Sequence, residues 1–342
     1  MMPCRGKIPL FHPPTPLEYL ENISADLGIK LYIKRDDMTG LGGGGNKLRK
    51  LEYLLYDAIN SQCTALITSG GIQTNHGRLT AAVAAKFGLK CAIVCVDGNA
   101  PEVLAGNLLL DRLMGAEVVI KRDDGREMQE QLCEAIGFVK QQYELNGEKV
   151  YVIPTGGSTT LGALGYMECA EEIAHQVKAV GHESAEIICA VGSLGTYMGL
   201  FCGLKSIDYP ANLIGISIMP WPENGLANVL HFFDEIKKEY GLPFSANMQE
   251  FHIETGYARG GYNNSSQEIR DAVKYMARRE GIILDPCYTG KAFAGLLQML
   301  KEGKIERDTP IVFLHTGGLP GLYAEHHVKE FSRELMSGVK VL

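Results

Sequence analysis

Short runs of β-branched and aliphatic residues alternate with longer stretches in which apolar positions recur at helical spacing. The runs lie at 64–68, 91–96, 117–120, 150–153, 186–191, 213–218 and 310–314, and they are continuous rather than alternating. A continuous run predicts a strand covered on both faces. Helical patterns occupy about 46–59, 75–87, 102–114, 126–145, 161–178, 196–207, 265–280, 290–302 and 320–336. Strand and helix in alternation predict right-handed crossovers and an α/β fold of open, twisted, mostly parallel sheets with helices on both faces. The length of 342 residues suggests about two domains. The best-marked boundary is the glycine-rich turn at 155–157 with Gly162. In such sheets ligands sit beyond the carboxyl ends of the strands, so the loops after the apolar runs are where chemistry is expected.

Composition narrows the classes. A chain that is 46% hydrophobic and 21% charged is an ordinary globular one. Its 33 basic and 40 acidic residues, net −7, give no electrostatic footprint for nucleic acid or an anionic membrane. Nine cysteines stand at 4, 63, 91, 95, 133, 169, 189, 202 and 287 with no Cys-x-x-Cys pair. That pattern encodes neither a disulfide framework nor a zinc site, and it predicts a reducing, cytoplasmic compartment. The first 17 residues carry Pro at 3, 9, 13, 14 and 16 and lack the apolar core of a signal peptide. Ile187 to Leu204 is free of charge over 18 residues, but Gly192, Ser193, Gly195 and Thr196 break it into strand, loop and helix rather than a membrane span.

Glycine-rich loops carry the candidate chemistry. Gly40-Leu-Gly42-Gly-Gly-Gly45 matches G-x-G-x-x-G. No acidic residue ends a strand about 20 positions on, so the dinucleotide reading is weak. It is no P-loop either, because Asn46 intervenes and Leu48 replaces the Ser or Thr. The loop instead delivers Lys47 to the first turn of a helix. There the positive N-terminal field lowers an amine's pKa and favours the free nucleophile, as covalent lysine chemistry requires. A second loop, Val191-Gly192-Ser193-Leu194-Gly195-Thr196, follows a strand and opens a helix; its N–H groups and hydroxyls suit a phosphate. Thr155-Gly-Gly-Ser158-Thr-Thr160 has similar residues and serves equally as a turn with an N-cap. Thr68 to Arg78 has the same strand–loop–helix form, and Thr74, Asn75 and His76 there suit either a carboxylate or a plain helix cap. Tyr288-Thr289 and His315-Thr316 complete the polar set at strand ends. His326 and His327, on the last helix, are expected to be solvated.

Four segments occur in order: Gly44-Gly-Asn-Lys47-Leu-Arg-Lys-Leu-Glu-Tyr53, Gly71-Ile-Gln-Thr-Asn75-His76, Asp285-Pro-Cys-Tyr-Thr-Gly-Lys291 and His315-Thr-Gly-Gly318. Together they resemble the D-cysteine desulfhydrase and 1-aminocyclopropane-1-carboxylate deaminase family, pyridoxal-phosphate enzymes of the tryptophan synthase β-subunit fold. The resemblance runs from Pro13 to about Tyr323. It implies a large cofactor-binding domain, 1–47 with 162–342, and a small inserted domain, 48–161. It makes Lys47 the Schiff-base lysine and places Asn75 on the cofactor's ring oxygen. Gly192, Ser193, Leu194, Gly195 and Thr196 would hold the phosphate. Tyr288 would stack on the pyridine ring with Tyr262 over the substrate, and Thr74, Asn75 and His76 would take the substrate carboxylate.

Two positions separate reactions within that family. The cyclopropane deaminases carry Glu after the cleft tyrosine and Leu after the strand-end histidine; this chain has Thr289 and Thr316, as the D-cysteine desulfhydrases do. A hydroxyl leaves the pyridine nitrogen neutral, which suits prompt loss of a β-leaving group. The resemblance therefore implies a carbon–sulfur lyase acting on a small amino-acid substrate, and a homodimer. Departures from the desulfhydrase pattern fall at Thr74, Gly77, Leu194 and the Met219-Pro-Trp221-Pro222 stretch.

Overall fold

The computed structural model describes residues 5–99 and 101–341. Cys4 and the first residues of the proline-rich N-terminus lie outside the described residues. In chain order the elements begin β1 (Leu17–Tyr19), α1 (Glu21–Leu27), β2 (Leu31–Arg35) and α2 (Lys47–Asn60). Then follow β3 (Ala65–Ser69), α3 (Asn75–Phe87), β4 (Lys90–Asp97), α4 (Gly106–Leu113), β5 (Glu117–Arg122), α5 (Met128–Leu145) and β6 (Val150–Ile153). After α6 (Thr160–Ala179) come β7 (Ala185–Val191), α7 (Gly195–Ser206), β8 (Ala211–Ser217), α8 (Gly225–Tyr240) and β9 (His252–Glu254). The chain closes with α9 (Gln267–Glu280), α10 (Thr289–Lys301), β10 (Ile311–His315), α11 (Leu319–Leu322) and α12 (Glu325–Leu335).

The strands form two sheets, one of four in the order β5-β4-β3-β6 and one of six in the order β1-β2-β10-β7-β8-β9. Every pairing is parallel except β1 with β2. The four-stranded sheet is drawn from 65–153 alone, whereas the six-stranded sheet takes strands from 17–35 and from 185–315. In β10, Val312 and Leu314 pack with α6, α7 and α8, while Ile311 and Phe313 pack with α1, α9 and α10. Leu66 and Ile67 of β3 likewise enter separate clusters on opposite faces of the small sheet. That two-sided burial is why the strands read as unbroken apolar runs.

All seven predicted strands are present. The structure adds β1, β2 and β9, and the helices α1 and α8. Lys34 breaks the apolar run of β2. It lies fully buried because its ammonium meets the Thr15 carbonyl at 2.7 Å, Glu172 at 2.8 Å and Gln176 at 2.8 Å. Helix α8 buries Val229, Phe233 and Ile236, which stand on one helical face. The pattern at 102–114 shortens to α4, whose first residue, Gly106, has φ +60°, and the pattern at 320–336 splits into α11 and α12. His327 is fully buried, not solvated: Nε2 lies 3.1 Å from Asn263 Oδ1. The uncharged stretch after Ile187 forms β7, a turn and α7, and no helix among the described residues is long and apolar enough to cross a membrane.

Candidate active site

The carboxyl ends of β3, β7, β8 and β10 open onto one cavity of about 730 Å³, a size suited to a small ligand with a cofactor. Lys47, Thr74, Asn75, His76, Gly192, Ser193, Leu194, Thr196, Tyr262, Tyr288 and Thr316 all line it. Gly195 and Thr289 do not. Gly195 sits behind the wall, its N–H donating to Ser158 Oγ at 3.1 Å. Thr289 is fully buried; its hydroxyl donates to Asp285 Oδ1 at 2.7 Å and accepts from the Asp285 N–H at 2.9 Å. Of the two threonines expected at the pyridine nitrogen, Thr316 alone contributes to the cavity wall.

Lys47 is the first residue of α2. Asn46 fixes that helix start by donating from its N–H to the Thr316 carbonyl at 3.0 Å and from Nδ2 to Thr196 Oγ1 at 3.0 Å. Burial lowers the Lys47 amine to about 8, so a usable fraction is neutral near physiological pH. Lys50, three residues on and on the same helical face, was not anticipated as a site residue. It is fully buried and donates to the Gly156 carbonyl at 3.1 Å, and burial together with Lys47 pushes its amine well below the usual range. Its spacing from Lys47 was the available signal, masked by the run Lys47-Leu-Arg49-Lys50, which resembles a solvated face. Neither amine has a carboxylate partner among the described residues. An enclosed amine on Lys50 and a cavity-lining one on Lys47, neither with a counter-ion among the described residues, call for an anionic guest.

The loop before α7 supplies the rest of an anion site. Leu194 adopts φ +64° at the turn into α7; the Gly195 N–H is taken by Ser193 and Ser158, and Thr196 and Tyr197, the next residues of that helix start, line the cavity. Ser193 Oγ lies 2.8 Å from Ser158 Oγ, joining this loop to the 155–158 turn. The two loops approach so closely that a Cβ on Gly156 would fall 2.0 Å from Ser193 Oγ and 3.6 Å from Lys47 Nζ. With φ +72° as well, only glycine fits there.

On the other side, Thr74 caps α3 by accepting from the Gly77 N–H at 3.2 Å. Its methyl occupies the space a side chain at 77 would need: a Cβ on Gly77 would lie 2.4 Å from Thr74 Cγ2. The departures at 74 and 77 are thus one packing exchange. His76 is buried with neither ring nitrogen partnered, and burial, then Lys47 and Lys50, hold its pKa well below the usual value. It therefore offers a neutral donor and acceptor to a guest. Tyr262 and Tyr288 share a hydrogen bond of 2.8 Å between their hydroxyls, with rings 5.9 Å apart edge to face. Asp285 anchors Tyr288 by accepting from the N–H groups of 287, 288 and 289. Lys291 holds the Tyr262 loop through the carbonyls of Ile218, Ala258 and Gly261.

The Lys47 amine in the cavity wall, a second amine on Lys50 beside a helix start with two serine hydroxyls, and an aromatic face make a fitting receptacle for an aromatic aldehyde bearing a phosphate. Among the described residues no cluster of His, Cys, Asp and Glu could hold a metal. The chain matches the pyridoxal-phosphate dependent enzyme family over residues 8–317. It is 40% identical over 325 residues to a Thermotoga maritima protein named "Putative 1-aminocyclopropane-1-carboxylate deaminase", covering 93% of this chain and 98% of that one. A crystal structure of an ACC deaminase homologue superposes with a TM-score of 0.85 at 35% identity, covering 98% of this chain and 96% of that one. A hydrogen sulfide-producing enzyme from Fusobacterium nucleatum shares the fold, with a TM-score of 0.60 at 20% identity over 89% of this chain and 93% of the other. Sequence, fold and the anion-seeking lysine pair agree: this chain belongs to the pyridoxal-phosphate dependent enzymes of the tryptophan synthase β-subunit fold.

Proposed function

We propose that this chain catalyses α,β-elimination from a small β-substituted amino acid, with D-cysteine as substrate and pyruvate, sulfide and ammonia as products. The observation that carries the reading is the character of the wall around Thr316. Among the described residues Asp97 is the one carboxylate lining the cavity, and the Asp285 carboxylate is occupied by the turn before α10. The position after His315, where the cyclopropane deaminases are expected to carry Leu, here offers the Thr316 hydroxyl to the cavity.

Pyridoxal phosphate, when bound, supplies the electron sink for the pair left by the α-proton. Lys47 would carry the cofactor, and Lys50, Ser193 and the α7 start would hold its phosphate. Asn75 would meet the ring oxygen, and Tyr288 would cover the ring. Thr74 and His76 would receive the substrate carboxylate, which positions Cα near Lys47. The ε-amine of Lys47, neutral once displaced, takes the α-proton as general base. The sulfur departs with the Cβ–S pair, and water completes hydrolysis, so one water and one cysteine give one each of pyruvate, ammonia and hydrogen sulfide.

Cleavage of 1-aminocyclopropane-1-carboxylate is the second reading, favoured by the names of the relatives at 40% and 35% identity. Elimination from L-cysteine or cysteate keeps the same chemistry with another substrate. The test is product release from D-cysteine, L-cysteine, cysteate and the cyclopropane acid in parallel. Stoichiometric sulfide and pyruvate from D-cysteine are expected. Turnover of the cyclopropane acid with no sulfide from D-cysteine would replace this reading with the second. Lys47→Ala should abolish turnover and remove the site at which borohydride fixes the cofactor, located by mass spectrometry.

A further inference from the structure

Asn75 is held in one orientation by partners whose polarity cannot be reversed. The chain of reasoning starts at the Gln73 carbonyl, which can only accept. Asn107 Nδ2 donates to it at 2.8 Å, and Gln73 Oε1 accepts from the Asn107 N–H at 2.8 Å. The Asn107 amide is thereby oriented, and its second N–H points at Asn75 Oδ1, 3.0 Å away. Arg78, which can only donate, reaches the same Asn75 Oδ1 from Nη1 at 2.7 Å and also donates to Asn107 Oδ1. Asn75 Oδ1 therefore faces the protein, and Nδ2, with two N–H groups, is the end left for the cavity that Asn75 lines.

Arg78 does more with the same guanidinium. Its Nε donates to the Gly42 carbonyl at 2.9 Å and Nη2 to the Gly44 carbonyl at 2.7 Å. Gly44 lies three residues before Lys47, so one planar group fixes both the approach to the lysine and the amide facing it. The side chain is fully buried, and no carboxylate pairs with it among the described residues. Such a fork cannot be reproduced by an ammonium.

We propose that Arg78 and Asn107 are positioning residues that make Asn75 a donor-only group toward the cofactor's anionic ring oxygen while registering the Lys47 loop against α3. This inference rests on the reading of Lys47 and Asn75 as cofactor residues, and it is independent of the amino-acid substrate. Asn107 lies outside the cavity lining and touches two residues that line it, Asn75 and Gln73, so the Asn75→Ala background separates the two routes.

The test is a double-mutant cycle on the cofactor itself. Wild type, Asn75→Ala, Asn107→Leu and the double variant are stripped and titrated with pyridoxal phosphate, recording the dissociation constant and the visible absorption maximum. Asn107→Leu should weaken binding about tenfold, the scale of one lost hydrogen bond to a charged acceptor, and shift the band. In the Asn75→Ala background it should change neither. Arg78→Lys should weaken binding at least as much, with band shift. Additive effects in the cycle, or a wild-type constant and band in both Asn107→Leu and Arg78→Lys, overturn the proposal. Asn107→Ser replaces Asn107→Leu should the latter fail to fold, and far-ultraviolet circular dichroism reports that. Absence of borohydride-fixed cofactor on Lys47 in the wild type would instead defeat the underlying cofactor reading.

Discussion

The exchange between residues 74 and 77 can be measured directly. Placing a methyl on Gly77 puts its carbon 2.4 Å from Thr74 Cγ2, 3.0 Å from Ile93 Cγ2 and 3.2 Å from Ile93 Cδ1. Carbon atoms prefer roughly 3.5–4.0 Å, so the first contact is deeply repulsive and the other two are tight. Gly77→Ala should cost about 1–3 kcal/mol as overpacking, partly offset by up to ~1 kcal/mol of helix propensity. Thr74→Ser alone removes one buried methyl, about 0.8 kcal/mol. In Thr74→Ser/Gly77→Ala the offending methyl is gone, while the capping hydroxyl remains. The propensity gain appears on both sides of the cycle and cancels. A coupling of about 1–2 kcal/mol in favour of the double variant is therefore expected. Equilibrium urea unfolding of the four cofactor-loaded proteins measures it. The double variant should also keep the wild-type substrate preference, because the hydroxyl at 74 stays in place. A coupling below about 0.5 kcal/mol, or a Gly77→Ala protein as stable as wild type, would refute the packing argument.

Three further outcomes are expected. The rate at which the stripped protein captures pyridoxal phosphate should rise with pH through a midpoint near 8, where burial places the Lys47 amine, rather than near the usual 10.5; a stopped-flow pH series checks this. Arg49→Met should destabilise the protein by about 3–5 kcal/mol at neutral pH, because Arg49 pairs with Asp36 and Glu172, each at 2.8 Å. Burial would raise the Asp36 carboxyl, but Arg49, with Lys34 and Tyr166, holds it low. That stabilisation is full above the ordinary carboxylate range, about pH 4, and is lost as pH falls through the lowered value. The deficit of the variant should accordingly shrink in acid, as urea titrations at pH 7 and pH 3.5 would show. Thr289→Val should cost about 1–3 kcal/mol by leaving Asp285 short of partners and leave the ratio of D-cysteine to cyclopropane turnover unchanged, since Thr289 does not reach the cavity.

Much of this was legible in the chain because the signals were local. The seven strands the sequence predicts are unbroken apolar runs, and every glycine-rich loop but Gly40–Gly45 follows one. What stayed hidden depends on distant partners. Lys34 reads as a surface charge until Glu172 and Gln176 are seen against it, and with it goes β2. Lys50 reads as one of a basic cluster because the Gly156 carbonyl that receives it lies over a hundred residues away. His327 sits on a mostly polar helix, and only its contact with Asn263 shows that this face turns inward. Thr289 follows the cavity tyrosine in sequence yet turns away from it, because the Asp285 carboxylate accepts from its hydroxyl and its N–H.

β10 lies between β2 and β7 in the larger sheet, with Phe313 opposite Ile33 on one side and Ile188 on the other. During synthesis, strands β3 to β6 emerge as one contiguous segment and can pair among themselves at once. β2, with only the three-residue β1 beside it, has no lasting neighbour until residue 315 has left the ribosome. At about 5–20 residues per second that interval is on the order of tens of seconds. Through it the nascent chain exposes the edges of β2 and β7, where strand-binding chaperones or like chains would attach. Thr316, whose carbonyl fastens Asn46 ahead of Lys47, follows β10 directly. A ribosome-bound chain ending short of β10 would therefore lack the Thr316 wall of the cofactor cavity and the carbonyl that fastens Asn46.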